Sequence, residues 1–128
     1  MAAKIKVPLT EKQIEDLSEK IYNLLNKNGL WADTCIYFNG KCLSNHGPDG
    51  HYHYDGQAWV EENKDPRDCF EYVNPDHILS MSFEGPVYHM FNYGEHTSVL
   101  KKFRALMDRY HLYYELGNAW NLTCYYSE

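Results

Sequence analysis

The spacing of apolar residues predicts a long amphipathic helix near the start of the chain. Apolar residues recur every three or four positions, the period of an α-helix, so they fall on one stripe. Thr10 followed by Gln13 is typical of a capping box, and Gly29 is typical of the residue that ends a helix. We therefore predict a helix over about residues 11–28. Its buried stripe would consist of Ile14, Leu17, Ile21, Leu24 and Leu25.

A hairpin is predicted directly after this helix. Residues 34–38 are rich in β-branched and aromatic side chains, which is typical of a strand. Asn39-Gly40 is the dipeptide favoured in a tight two-residue turn, and residues 41–44 would return as the second strand. A two-residue turn at Asn39-Gly40 would determine which residues of the two strands lie opposite each other.

Shorter elements are predicted in the middle of the chain. Asp55-Gly56 is a hairpin turn, and Asp65-Pro66 has the chemistry of a helix start. Between residues 78 and 83 apolar residues alternate with serines, which indicates a strand with one solvent-facing side. The predicted elements are a strand pair at 51–54 and 57–60, a short helix from Asp65 to about Val73, and a strand pair at 78–83 and 87–92.

A second amphipathic helix and a second hairpin are predicted at the end of the chain. The helix would bury Val99, Leu100, Phe103, Leu106, Met107 and Tyr110. Strands at 112–116 and 119–126 would follow, joined at Gly117-Asn118. Helices separated by hairpins predict an α+β fold: an antiparallel sheet of five to six strands with two long helices packed on one face. The chain length fits a single globular domain, residues 1–128.

Charge is distributed unevenly along the chain. Residues 42–100 contain ten acidic and two basic residues, whereas each flank carries a net charge of +1. The same stretch holds six of the seven histidines and the aromatic residues Tyr52, Tyr54 and Trp59. An acidic surface of this kind attracts cationic partners.

These features predict a small non-catalytic protein that binds a basic surface of another protein. Complementary charge would speed the encounter, and buried aromatic side chains would supply most of the affinity. By analogy of size and charge alone, the partner would be a nucleic-acid-handling protein, and the chain an inhibitor of the anti-CRISPR or anti-restriction type. The predicted partner-binding residues are Tyr52, Tyr54, Trp59, Glu61, Glu62, Asp65, Asp68 and Glu71.

Two alternatives remain open from the sequence. His51-x-His53 on a strand would place both rings on one face, and His46 could approach them, which would suit a zinc ion in a metal-dependent hydrolase. The spacing matches no zinc motif, however, and the fourth ligand is missing. A small-molecule-binding protein with a tyrosine-lined pocket is the other alternative.

Several functions are disfavoured by the sequence. The chain lacks phosphate-binding glycine motifs, and its pI of about 5.6 does not suit direct nucleic-acid binding. No secretion signal or membrane-spanning run is present, so we expect a cytoplasmic protein in which Cys35, Cys42, Cys69 and Cys124 are small buried side chains. A homodimer is expected if the tyrosine-rich final strand lies at a sheet edge.

Overall fold

Six antiparallel strands form one sheet, and the long helices pack on one of its faces. The structure is a computed structural model that describes residues 8–70, 73–74 and 76–127. The elements are α1 (Glu11–Lys27), β1 (Thr34–Phe38), β2 (Lys41–Ser44), β3 (Trp59–Glu62), a 3-10 turn (Pro66–Asp68), β4 (Leu79–Phe83), α2 (Pro86–Tyr93), α3 (Thr97–Arg109), β5 (Leu112–Asn118) and β6 (Asn121–Tyr126). The strand order is β3-β2-β1-β4-β6-β5. The predicted α+β class and the helical layer are confirmed.

The first helix begins as its sequence predicts. The Thr10 hydroxyl accepts a hydrogen bond from the Gln13 amide at 3.1 Å, and the Gln13 side chain accepts one from the Thr10 amide at 2.9 Å. This capping box satisfies two amides that a helix start otherwise leaves unpaired. The predicted apolar stripe is buried against the sheet.

The first hairpin also forms as predicted. Asn39 and Gly40 both have positive φ angles, 50° and 74°, which a type I′ turn requires. The two-residue turn sets Tyr37 opposite Cys42 and Cys35 opposite Ser44. Because strand side chains alternate, all four of these residues lie on the same face of the sheet.

The sheet has a helix face and a second face with different surroundings. The helix face carries the main core, in which apolar residues of β1, β2, β4, β5 and β6 pack against all three helices. The second face carries Ser80 and Thr123, whose hydroxyls are hydrogen-bonded at 3.2 Å. Phe70 crosses over this face and packs on Tyr37 and Cys42.

The predicted solvent-facing side of residues 78–83 is therefore covered. Ser80 is fully buried and Ser82 is half-buried. Part of the cover is formed by Phe70 and Val73, which lie between the edge strand β3 and the central strand β4 and pack on Tyr37 and Cys42. The alternation of polar residues indicated two different faces correctly, but it could not show that another segment lies across the polar one.

Residues 87–92, predicted as a strand, belong to α2. Pro86 occupies the first helical turn, and Gly94 ends the helix with a φ of 68°. Val87 and Met90, three positions apart, are the buried residues of this helix. Start and stop signals of a helix were thus present in the sequence and outweigh the strand pattern.

Other predicted elements are also different in the structure. Residues 51–54 form only one isolated bridge, between Tyr52 and His46, while β3 pairs with β2. The predicted helix from Asp65 is a 3-10 turn of three residues. The final strand β6 lies between β4 and β5, so it is not the edge strand through which a homodimer was expected.

Candidate partner-binding site

A cavity opens at one end of the second face, where β1 begins and β4 ends. Its volume is about 490 Å³. Cys35 and Ser82, which are opposite each other on β1 and β4, lie in its wall. The remaining lining residues are Asp33, Asn45, Tyr52, Tyr54, Phe83 and Glu84. We call it the tyrosine cavity because two of the most exposed aromatic side chains, Tyr52 (61%) and Tyr54 (65%), border it.

Two acidic residues, Asp33 and Glu84, line the tyrosine cavity. The Glu84 amide donates a hydrogen bond to the Asp33 carbonyl at 3.0 Å, which holds the two residues together. Asp33 has a φ of 52°, a left-handed conformation that Asp adopts more readily than most residues. The Tyr54 hydroxyl donates to the Asp33 carboxylate at 2.8 Å, and this bond raises the pKa of Tyr54 above its usual value. The phenol therefore remains protonated as a donor.

The close approach of these two residues depends on Gly85. A Cβ atom at this position would lie 2.7 Å from the Ala32 carbonyl oxygen, a separation that real Cβ atoms essentially never show. Only glycine allows the start of α2 to approach the 32–33 backbone this closely. The sequence thus places Glu84 beside Asp33 through a residue without a side chain.

The loop of residues 45–57, which carries Tyr52 and Tyr54 and is called the tyrosine loop below, is held at both ends. The His53 amide donates a hydrogen bond to the Asn45 carbonyl at 2.8 Å, and the Asn45 side-chain amide donates one to the His53 carbonyl at 3.0 Å. At the other end, the Tyr22 hydroxyl donates to the Gly56 carbonyl, and the Trp31 indole donates to the residue 57 carbonyl at 3.2 Å. The loop is thereby fixed to the sheet and to α1.

Ring contacts hold the side chains of this loop as well. The His46 and Tyr52 rings are 4.8 Å apart, and the His53 and Trp59 rings are 4.7 Å apart. The His53 ring also contacts the Asp49 carboxylate at 3.0 Å, and this hydrogen bond lowers the pKa of Asp49. Histidines that the sequence suggested as metal ligands thus contribute to the shape of the loop.

The histidine set predicted for zinc is not gathered at one point. His46 lies 3.7 Å from the Glu61 carboxylate, His53 is directed at Asp49, and His51 is exposed. Among residues 8–70, 73–74 and 76–127, no group of three or more His, Cys, Asp or Glu side chains could hold a metal ion. The geometry of the described residues gives no support to the His46/His51/His53 site, which stays a prediction.

The predicted acidic patch is only partly assembled. Tyr52 and Tyr54 reach the cavity, whereas Trp59 lies beneath His53 on β3. Glu61 and Glu62 are adjacent on β3, so they point to opposite faces of the sheet. Asp68 is exposed in the 3-10 turn, and Glu71 lies outside the described residues.

Some of the acids are already paired within the chain. Glu61 lies 3.5 Å from the Lys64 ammonium, and Asp65 lies 2.9 Å from the Arg67 guanidinium. The bond to Arg67 lowers the pKa of Asp65, whose carboxylate also accepts the Arg67 amide at the turn. Within the described part of the chain, Glu62 and Asp68 have no ion-pair partner within 4.0 Å.

Three of the four cysteines come together on the second face. Cys35 and Cys42 are diagonal neighbours across the hairpin, and Cys69 reaches the same region from the end of the 3-10 turn. The Tyr37 hydroxyl interacts with the Cys69 thiol, and the Cys42 thiol interacts with that of Cys35. Cys42 and Cys124 are buried as predicted, Cys35 is half-buried, and Cys69 is exposed, contrary to prediction.

Four basic residues line a groove on the helix side of the molecule. A groove between α1 and α3, with a volume of about 390 Å³, has four cations on its walls: Lys20, Lys27, Lys102 and Arg109. None of the four has a described carboxylate within 4.0 Å. The chain therefore presents cations on its helix side and carboxylates along the tyrosine cavity. No described helix is long and apolar enough to span a membrane.

Asp33, Cys35 and Glu84 are the site residues that sequence reasoning missed. Asp33 precedes β1 and Glu84 follows β4, and these strands are antiparallel neighbours, so their ends meet. To place Asp33 near Glu84 one must know that β1 pairs with β4, and no local sequence pattern predicts that pairing. No protein-family model matches the sequence, and neither the search of curated proteins nor that of solved structures returned a match.

Proposed function

We propose that the chain is a non-catalytic interaction protein that binds a basic surface of another protein, with a lysine or arginine side chain entering the tyrosine cavity. The observation that carries this proposal is the pairing of two carboxylates, Asp33 and Glu84, with two exposed tyrosines around one cavity. Carboxylates accept hydrogen bonds from guanidinium and ammonium groups, and aromatic faces attract the same cations. A nucleic-acid-handling protein remains the proposed class of partner, because such proteins carry large basic surfaces.

Rigidity supports the proposal. Both ends of the tyrosine loop are hydrogen-bonded, to Asn45 on one side and to Tyr22 and Trp31 on the other. Side chains that are already ordered lose little entropy on binding, so more of the contact energy remains as affinity. Tyrosine suits such a surface because it has a large contact area and few rotatable bonds.

The separation of charge supports it as well. The cations of the α1–α3 groove lie on the helix side of the molecule. Asp33 and Glu84 line the tyrosine cavity on the second face, where β1 begins and β4 ends. A basic partner would be attracted to one side and repelled from the other. Such asymmetry orients the encounter and favours a single docking geometry.

Binding of a fluorescent oligo-arginine peptide, measured by anisotropy, tests the proposal. A cation about 4 Å from a carboxylate gains about 1 kcal/mol in bulk water and more in a partly dry cavity. The double variant Asp33→Asn/Glu84→Gln should therefore weaken binding by at least about tenfold. Replacing Tyr52 and Tyr54 by alanine should also weaken it, since both rings border the cavity.

A matched variant controls for net charge. Glu19→Gln/Asp108→Asn removes the same two charges from exposed positions on α1 and α3, so it should bind the peptide as tightly as the wild type does. Equal loss in both double variants would show a response to net charge alone and would refute the cavity as the binding site.

A second pair of variants measures how far the surface extends. Glu62→Gln and Asp68→Asn neutralise acids that have no described ion pair within 4.0 Å, so neither should lower thermal stability appreciably. Weaker peptide binding in these variants, lost at high salt, would extend the surface from the cavity to the predicted acidic patch.

The cavity also fits the alternative of a small-molecule-binding protein. Its volume of about 490 Å³ lies in the range of ligand sites, and its lining would select an organic cation. Competition separates the two functions. Free arginine or agmatine that displaces the peptide at micromolar concentration would favour the small-molecule function, whereas displacement only at millimolar concentration would favour a protein partner.

A further inference from the structure

We propose that Cys35 is a reactive thiol in the wall of the tyrosine cavity, which exchanges with disulfides that carry a positive charge. The inference rests on the proposed cation preference of the cavity and adds a covalent chemistry to it. It begins from the position of Cys35: its side chain is half-buried on β1 and lines the cavity together with Asp33 and Glu84. A small molecule in the cavity would thus contact a thiol and two carboxylates at once.

The neighbours of Cys35 favour its deprotonated form. Interaction with the Cys42 thiol is the largest cause that lowers the pKa of Cys35, to about 7, with the hydroxyls of Ser82 and Tyr37 acting in the same direction and burial opposing them. The same interaction raises the pKa of Cys42, so of the two thiols Cys35 is the one that ionises first. The thiolate is the nucleophilic form of cysteine.

The charged groups described near this thiol are carboxylates. Glu61 on β3 raises the pKa of Cys35 slightly, and the carboxylates of the cavity add negative potential. An anionic reagent would therefore be repelled and a cationic one attracted. The titratable and charged groups near Cys35 are Tyr37, Cys42, Glu61, Asp33, Glu84, Tyr52 and Tyr54.

A disulfide within the chain does not compete easily with this reaction. Cys35 and Cys42 are diagonal neighbours, and the Cα atoms of such pairs are roughly 7–8 Å apart. A disulfide usually needs less than about 7 Å, so this bridge would require movement of the hairpin backbone. The Cys35–Cys42 bridge therefore competes poorly with an outside disulfide for the Cys35 sulfur.

The proposed reaction is thiol–disulfide exchange, here with cystamine as the probe. The Cys35 thiolate attacks one sulfur of cystamine, a new sulfur–sulfur bond forms, and the original one breaks. The other half leaves as cysteamine thiolate and takes a proton from solvent. The Cys35 sulfur is oxidised and the leaving sulfur is reduced, so no further oxidant is needed.

The experiment compares three disulfides of similar size: cationic cystamine, neutral hydroxyethyl disulfide and anionic dithiodipropionate. Intact-mass and peptide mass spectrometry give the rate and the modified residue. Each rate is divided by the rate of the same disulfide with a short neutral cysteine peptide, which removes differences in leaving group. We expect modification at Cys35, with a normalised preference for cystamine over dithiodipropionate of about tenfold or more at low salt that shrinks at high salt.

Variants separate reactivity from fold. Cys35→Ser should abolish the cavity reaction, and Cys69→Ser, which removes the exposed thiol, should leave it unchanged. In Cys42→Ala, which removes the donor, the rate at pH 7 should fall and the pH profile should move to higher pH, a change that simple loss of packing does not predict. In the wild type the rate should rise as pH increases through about 7, where Cys35 ionises.

Two results would contradict the inference, and they are distinguishable. If Cys35 reacts with none of the three disulfides while the protein still binds the oligo-arginine peptide, the reactive thiol is refuted and the proposed function is not. If Cys35 reacts with all three at equal normalised rates, the cation preference is refuted, and this result also counts against the proposed function.

Discussion

Gly85→Ala is the sharpest test of how the fold positions the carboxylates of the tyrosine cavity. The added methyl group would lie 2.7 Å from the Ala32 carbonyl oxygen and 3.4 Å from its carbonyl carbon. Ordinary contact needs about 3.4 Å or more, so the start of α2 and the 32–33 backbone must separate by roughly half an ångström or more. The Ala32 oxygen is a backbone atom, and the added Cβ is bonded directly to the backbone. No side-chain rotation can therefore relieve the clash.

The expected cost follows from two terms. Overpacking of this kind costs about 1–3 kcal/mol. The separation also stretches the 3.0 Å hydrogen bond from the Glu84 amide to the Asp33 carbonyl, a bond worth about 1 kcal/mol. We therefore expect the free energy of unfolding to fall by about 2–3 kcal/mol, and peptide binding to weaken several-fold because the two carboxylates move apart.

Urea denaturation followed by tryptophan fluorescence measures the first effect, and peptide anisotropy measures the second. Gly94→Ala is the control: its φ is 68°, nothing lies within 4 Å of the added Cβ, and it ends α2 on the far side from Glu84. It should lose about 1–2 kcal/mol from backbone strain and keep its peptide affinity. A Gly85→Ala protein within about 0.5 kcal/mol of the wild type, with full peptide affinity, would refute the steric argument.

Three further changes have effects that the structure predicts. Thr10→Ala removes the capping oxygen of α1 and should cost about 1 kcal/mol in urea denaturation. Phe70→Ala removes the ring that packs on Tyr37 and Trp120, and should cost about 3 kcal/mol by the same measurement. Burial lowers the pKa of His77 below 6.5, so the folded state binds fewer protons than the unfolded state. Stability should therefore fall as pH decreases through about 6.5, and this part of the slope should be absent in His77→Asn.

The first two changes have matched controls. Thr10→Ser keeps the capping oxygen, and Phe70→Leu keeps most of the apolar cover, so both should recover most of the loss. The burial argument for His77 fails if His77→Asn has the same pH profile of stability as the wild type.

The elements with strong local signals could be predicted from the sequence. The capping box at Thr10 and the Asn39-Gly40 turn are both determined by neighbouring residues, and both form as predicted. The helix α2 shows the limit of this reasoning. Its residues alternate enough to suggest a strand, and only the flanking Pro86 and Gly94 indicate that the segment is helical.

The candidate site depends on contacts that are distant in sequence. Asp33 and Glu84 are brought together by the pairing of β1 with β4, and Cys69 reaches the second face through a crossing segment. By contrast, the proximity of Cys35 and Cys42 follows from the two-residue turn between their strands, so that part of the site was accessible from the sequence.

The central strand β4 has a consequence for how the chain folds. The sequence neighbours of β4 are not its sheet neighbours: it pairs with β1, more than forty residues before it, and with β6, which follows two helices and another strand. Each hairpin can form early from local contacts, whereas β4 requires two long loops to close first, which is slow. A chain cut between β3 and β4 would therefore yield one fragment with α1 and β1–β3 and another with β4, α2, α3 and the β5–β6 hairpin, and only their association would complete the sheet.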